Sequence, residues 1–202
     1  MKLLYFSDAH LRATTPQSRT DNYAEALWNK FQQITALIHE HKVQAVLNGG
    51  DLFESPVPAQ SIINQYLEVF TGWDIPIYSI VGSHDKFGYN QNTLLRTALG
   101  AFIAAGVIQL VDECIWLDNT IQIAGVSHIY ELDKDPKNYY RQKLVPDVPM
   151  IQICHGMLTN TPYYAAHTLI SDVHTEAELV LSGHYHTGFG PITIGNSTFL
   201  NI

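Results

Sequence analysis

Five apolar runs in this chain end in residues that can hold a cation or move a proton. "LLYFS" is followed by Asp8 and His10, and "AVLNGG" by Asp51. "IYSIVGS" is followed by His84 and Asp85, "IQIC" by His155, and "LVLSG" by His184 and His186. Each tip alone has an ordinary explanation: a turn aspartate, an Asx turn after Gly-Gly, a hydrogen-bonded core imidazole or a solvated loop. Five such tips at equivalent positions are poorly explained by five coincidences. Carboxylate and imidazole without thiolate suit borderline or hard divalent ions: Mn²⁺ first, with iron, zinc and nickel as alternatives. Two clustered ions need a shared ligand, and Asp51, central in the set, is the natural bridging carboxylate. Two ions roughly 3.5–4 Å apart can activate one water and clamp an in-line displacement at phosphorus.

For these tips to share one crevice, the runs that carry them must be strands of one layered core. Residues 2–7 read as a buried strand. In residues 21–41, Tyr23, Leu27, Phe31, Ile34 and Ile38 recur at helical spacing, with Thr20 or Asp21 as cap. Residues 43–53 and 75–85 each read as strand then loop, separated by a helix that Pro58 opens and Gly72 ends. Ile62, Tyr66, Leu67 and Phe70 form the buried face of that helix. A third helix is predicted over 92–105, stopped by Gly106. "VIQLV", "CIWL" and "IQIAGV" are short and close together, as in a strand meander. Residues 134–149, with three prolines, read as an exposed loop, and 150–156, 177–186, 191–195 and 197–202 as strands. The early β–α alternation implies a parallel sheet, and the later strands a second sheet packed on it. In open α/β sheets, ligands bind beyond the carboxyl ends of the strands, where these tips fall.

Composition bounds the rest. A chain of 202 residues, 46% hydrophobic and 15% charged, is long and apolar enough for one domain with a sizeable core, residues 1–202, without a capping domain. The formal net charge of −8 argues against a basic surface for wrapping duplex nucleic acid. Cys114 and Cys154 both sit in apolar runs, as small buried hydrophobes rather than a disulfide framework. The opening apolar run is too short for a signal peptide, and no stretch nears the roughly 18 apolar residues of a membrane span. The expectation is a cytoplasmic protein.

The ordered set D-x-H (Asp8, His10), G-D (Gly50, Asp51), G-S-H-D (82–85), a lone His155 and G-H-x-H (183–186) resembles the calcineurin-like metallophosphoesterases. The GDLF form and the spacing between motifs are most similar to the SbcD-type DNA repair nucleases. That resemblance implies a four-layer α/β/β/α fold, a two-sheet sandwich flanked by helices. It implies that Asp8, His10 and His186 hold one metal ion, that His155 and His184 hold a second, and that Asp51 bridges them. His84 becomes the catalytic histidine, oriented by Asp85. A phosphodiester substrate such as DNA or a nucleotide is implied, and an SMC-like ATPase as partner, with no membrane. One position departs: the family has Asn where this chain has Ser83, whose shorter hydroxyl implies an intact but weaker second metal site.

Two other functions fit the same residues. The acidic balance and absent capping domain suit a small-molecule phosphodiesterase or phosphomonoesterase, and a binding module on a catalytically weak form of the fold is the alternative outside enzymes. Tyr89, Tyr163 and Tyr164 stand near the same loops, where packing beneath a loop is the plainer expectation and stacking on a base the other. Tyr185 is expected to pack inward or line the cleft rim. His128 follows "IQIAGV" outside every ligand motif.

Overall fold

Side-chain alternation along the strands decides what each face of the molecule packs against. A computed structural model describes residues 1–202. In β1 (Leu3–Phe6) and β2 (Ala45–Asn48), Leu4, Phe6 and Val46 point one way, and Leu3, Tyr5, Ala45 and Leu47 the other. The first set meets helices α1 (Tyr23–His41), α2 (Gln60–Gly72) and α3 (Ala98–Ala104). The second set meets another sheet. With β3 (Ile77–Ser79) and β4 (Gln109–Leu110), the first sheet runs β1-β2-β3-β4, all parallel. Right-handed crossovers that always step the same way place every helix on one face, which frees the opposite face for the second sheet.

The second sheet is built from β5 (Cys114–Trp116), β6 (Gln122–Val126), β7 (Met150–Gly156), β10 (Leu179–His184), β11 (Phe189–Ile194) and β12 (Ser197–Asn201), with β8 (Leu158–Thr159) and β9 (Thr168–Leu169) pairing apart. Its order is β11-β12-β10-β7-β6-β5, parallel from β12 to β6 and antiparallel at both edges. Ile123, Ile153 and Leu181 face inward and interlock with Ala45, Leu47, Ile80 and Val111 of the first sheet. Their neighbours Ala124, Cys154 and Val180 face outward. The fourth layer there is thin: 3₁₀ turns and loops lay Leu132, Tyr139, Ile170 and Val173 over that face.

Four local expectations need correction. The cap of α1 is Asn22, whose side chain accepts the Glu25 N–H at 3.3 Å, rather than Thr20 or Asp21. The helix predicted over 92–105 is broken, because the Thr97 hydroxyl accepts the Gly100 N–H at 3.1 Å and so starts α3 at Ala98. The turns before it, 87–89 and 91–96, are 3₁₀. "VIQLV" supplies β4 of the first sheet instead of joining the later strands. The 134–149 stretch is not wholly exposed: Tyr139 is fully buried, and the Arg141 guanidinium donates to the carbonyls of Gly125 at 2.8 Å and Tyr140 at 2.8 Å. Cys154 is buried and Cys114 half-buried, and both are free thiols. No helix is long and apolar enough to cross a membrane.

The seam between the sheets is the part of this core that sets the site. Leu47 is completely buried in it. Leu47→Ala is expected to lower unfolding free energy by about 3 kcal/mol, since both sheets would have to relax into the cavity; chemical denaturation checks this.

Candidate active site

The inward register that packs the sheets also carries the polar tips toward each other. Positions 45 and 47 of β2 face the second sheet, and so does Gly49 just beyond. Positions 151 and 153 of β7 face the first, and so does His155. They meet: His155 Nδ1 lies 2.7 Å from the Gly49 carbonyl oxygen. A carbonyl only accepts, so Nδ1 carries a proton and Nε2 is the nitrogen left to face the crevice. Leu179 and Leu181 of β10 likewise lead to Gly183, where a Cβ would run into Ser7 Oγ and the Asp8 carboxylate. Gly82 is as constrained, because a Cβ there would collide with the Asp51 carboxylate. These close approaches explain the glycines of the G-S-H-D and G-H-x-H stretches.

The loops after β1 and β2 run side by side. Asp8 N–H donates to the Gly50 carbonyl at 3.1 Å, and His10 N–H to the Asp51 carbonyl at 3.0 Å. Asp8 crosses to the second sheet, where its carboxylate accepts the His184 N–H at 3.0 Å and lies 3.2 Å from His186 Nε2. Asp51 sits at the centre. Its Oδ1 accepts the His84 N–H at 2.7 Å; its Oδ2 accepts the Ser83 hydroxyl at 3.0 Å and stands 3.1 Å from His155 Nε2 and 3.9 Å from His10 Nε2. Asp8, His10 and His186 form one group with ligand atoms within 4.8 Å of one another; Asp51, His155 and His184 form a second, and His10, Asp51 and His84 a third. Every one of the sequence-selected tips therefore reaches one crevice.

Backbone strain marks the same residues. Asp8, His10, Asp51 and His184 all have φ between 46° and 76°, a left-handed conformation unfavourable for side chains with a Cβ. Electrostatics agree. Burial works against charge on both Asp51 and His155, but their mutual contact outweighs it, holding the Asp51 carboxyl well below the usual range and raising His155 to about 9. The pocket favours positive charge beside Asp51. Both ring nitrogens of His10 are buried without a hydrogen-bond partner, as open ligand positions would be, and His155 Nε2 meets the Asp51 carboxylate. Donor types and these unpartnered nitrogens fit divalent cations.

Asp85 does not orient His84. It is fully buried, and its carboxylate accepts the backbone N–H groups of Asp51 at 2.9 Å, Leu52 at 3.1 Å and Gly82 at 2.8 Å, with Phe53 at 3.4 Å. Asp85 thus ties the loop after β3 to the loop after β2. Burial, then the Asp51 charge, push its carboxyl up to about 6 against those donors. His84 is oriented instead by the main chain of Glu54, whose carbonyl lies 2.8 Å from His84 Nδ1. The Glu54 carboxylate is 3.1 Å from His10 Nδ1, off the line of a straight hydrogen bond, and pairs with Arg12 at 2.8 Å. Sequence reasoning missed Glu54; its place three residues past Asp51, on the same loop, was the available signal.

Tyr163 and Tyr164 do not pack beneath a loop. Their centroids are 4.3 Å apart with Tyr164 91% exposed, and Tyr185 meets Tyr163 edge-on at the rim. Asp85→Ala is expected to cost roughly 3 kcal/mol of stability, because several buried N–H groups lose their acceptor together. Asp85→Asn should recover only part of it, since an amide offers one accepting oxygen; thermal melts of both variants check this.

The family model described as calcineurin-like phosphoesterase matches residues 1–188. A DNA double-strand break repair protein Mre11 from Sulfolobus acidocaldarius is 25% identical over 193 residues, covering 93% of this chain and 50% of the relative. The Methanococcus maripaludis Mre11 is 25% identical, covering 98% and 55%. The chain thus spans about half the length of these curated relatives. Among solved structures, a dimetal phosphatase from Danio rerio superposes with a TM-score of 0.64 at 9% identity, covering 98% of this chain and 86% of that one. The protein TT1561 of Thermus thermophilus gives 0.57 at 14% identity, covering 98% and 87%. At such identities the structures speak for the fold, and the match over residues 1–188 for descent: this chain belongs to the calcineurin-like phosphoesterases, a family of hydrolytic enzymes.

Proposed function

We propose that the chain is a phosphodiesterase dependent on two divalent metal ions, with nucleic acid or nucleotide phosphodiesters as substrate. The observation that carries this reading is the Asp51 carboxylate, standing between His10 at 3.9 Å and His155 at 3.1 Å and so between two groups of ligand atoms. Asp8, His10 and His186 would hold one ion, His155 and His184 the other, and Asp51 both, with Mn²⁺ the best match to the donors. Divalent ions at such a centre neutralise phosphoryl charge and make water acidic enough to attack at neutral pH. The chain's own residues do the rest. Gly49 sets the His155 tautomer, and Asp8 joins the β1 and β10 tips. His84 is exposed at the mouth with Nδ1 donating to the Glu54 carbonyl, which leaves Nε2 free; in its imidazolium form the ring can pass the Nε2 proton to the leaving ester oxygen.

The Mre11 relatives favour DNA, and likeness to SbcD-type nucleases suggests an SMC-like ATPase as partner. The net charge of −8 favours a smaller phosphodiester instead. Rates on single-stranded DNA, duplex ends and cyclic nucleotides separate the two, and a preference for the cyclic nucleotide would demote the nuclease.

With Mn²⁺ and bis-p-nitrophenyl phosphate, His84→Ala is expected to lose roughly 10²–10⁴-fold in kcat while still binding two ions per chain. Equal activity in the two proteins would refute the assigned role. Ser83 stands where the family has Asn beside the second ion, and its hydroxyl donates here to Asp51 at 3.0 Å. Ser83→Asn, which supplies a longer side chain with a carbonyl oxygen, should tighten the weaker of two Mn²⁺ affinities in calorimetric titration and leave the tighter one within twofold.

A further inference from the structure

The loop after β3 and the tip of β6 carry aromatic rings that neither the core nor the metal ligands employ. Tyr89 is 52% exposed and Tyr130 73% exposed, yet they lie against each other with centroids 5.8 Å apart. Tyr89 also lies 5.5 Å from the ring of His128. His128 in turn is 5.4 Å from His184 and 6.1 Å from His155. An unbroken row of rings therefore leads from the candidate metal ligands to solvent.

The row is held in place rather than draped on the surface. His128 is 8% exposed, and its N–H donates to the Val81 carbonyl at 2.8 Å. Its own carbonyl accepts from Lys86 Nζ and, at 2.8 Å, from Gln91 Nε2, which pins the loop that bears Tyr89 to the tip of β6. Tyr89 has φ +60°, a costly conformation for a residue with an aromatic side chain, and its ring gains little burial in return. The buried Nδ1 of His128 has no hydrogen-bond partner. Exposed aromatic faces set side by side, one of them on a loop pinned by hydrogen bonds, are what a flat ring would stack on.

We propose that Tyr89 and Tyr130, backed by His128, form a stacking subsite for a nucleobase of the phosphoester substrate. This rests on the phosphodiesterase reading above and adds which part of the substrate is recognised beyond its phosphate. Among phosphoesters, nucleotides are the class that carries a planar heterocycle beside the phosphoryl group. Stacking on tyrosine tolerates any base, since each has a π-face, so the subsite would distinguish base-bearing from base-free esters without selecting sequence.

The test uses the full chain, parent and Tyr89→Leu/Tyr130→Leu, with Mn²⁺. Substrates are a short single-stranded oligonucleotide, its abasic counterpart and glycerophosphocholine, a phosphodiester without any aromatic ring. The double variant should lose about tenfold or more in kcat/KM on the base-bearing substrate, and stay within twofold on the other two. Tyr89→Phe/Tyr130→Phe, which keeps both rings, should restore the preference. Equal losses on all three substrates, or none on the base-bearing one, would overturn the subsite. Affinities for AMP and ribose 5-phosphate, measured by calorimetry, supply an arm independent of turnover. A parent protein that hydrolyses no ester sinks the phosphodiesterase reading, whereas one that binds both ligands equally sinks the subsite by itself.

Discussion

A single buried carboxylate joins the parts of this molecule. Asp51 accepts from the backbone of the loop after β3, from the Ser83 hydroxyl on that loop, and contacts His155 from the opposite sheet. A carboxylate 1% exposed must be matched by donors or cations on every side, or burial would neutralise it. The demand is met by pieces of chain from three strand tips, so satisfying Asp51 and assembling the crevice are one event. The apolar seam below supplies the rigidity, because its interlocked side chains fix how far apart the tips of β2 and β7 can stand.

Strain is the counterpart of that convergence. Four candidate ligands hold left-handed φ values, a cost of about 1–3 kcal/mol each in a non-glycine residue. Extended strands would carry alternate side chains away from the crevice, and a left-handed kink just past the strand end brings them back in. Hydrogen bonds between the loops after β1 and β2, and the N–H groups gathered by Asp85, offset the cost locally. Asp85 thus belongs to the scaffold of the site. It shapes the loop on which Asp51 stands, while the ring of His84 takes its direction from a main-chain oxygen.

That division explains what was legible in the sequence. Apolar runs ending in Asp or His are visible as letters, and the structure brings all of those tips together. Helix α1 was legible through its stripe of Leu27, Phe31 and Ile38, and the two-sheet order through the shift from β–α alternation to close-set strands. The role of Asp85 was hidden because its partners are backbone N–H groups, which every residue type carries. Glu54 was hidden for the same reason: the atom that meets His84 is its carbonyl. The broken third helix shows a local contest, in which an apolar periodicity across 92–105 lost to a threonine that caps better at Thr97 than it sits mid-helix. The location of β4 follows from pairing with β3, a contact between distant residues that no window of sequence displays.

The charge of the chain and the charge of the crevice point in opposite directions, and the ligand types reconcile them. The net −8 counts every carboxylate of the chain, those of the crevice included. Within the crevice the anionic candidate ligands are only Asp8 and Asp51, and the other four are imidazoles, which bind cations as neutral donors. Glu54, the next carboxylate, is already paired with Arg12. Two divalent ions held by two carboxylates and four neutral rings would leave about two positive charges uncompensated. A centre ringed by carboxylates would be neutralised and lose its pull on an anion; one built largely of histidines keeps it. The choice of histidine over aspartate at positions 155, 184 and 186 would thus let an acidic protein present a cationic pocket with two such ions bound.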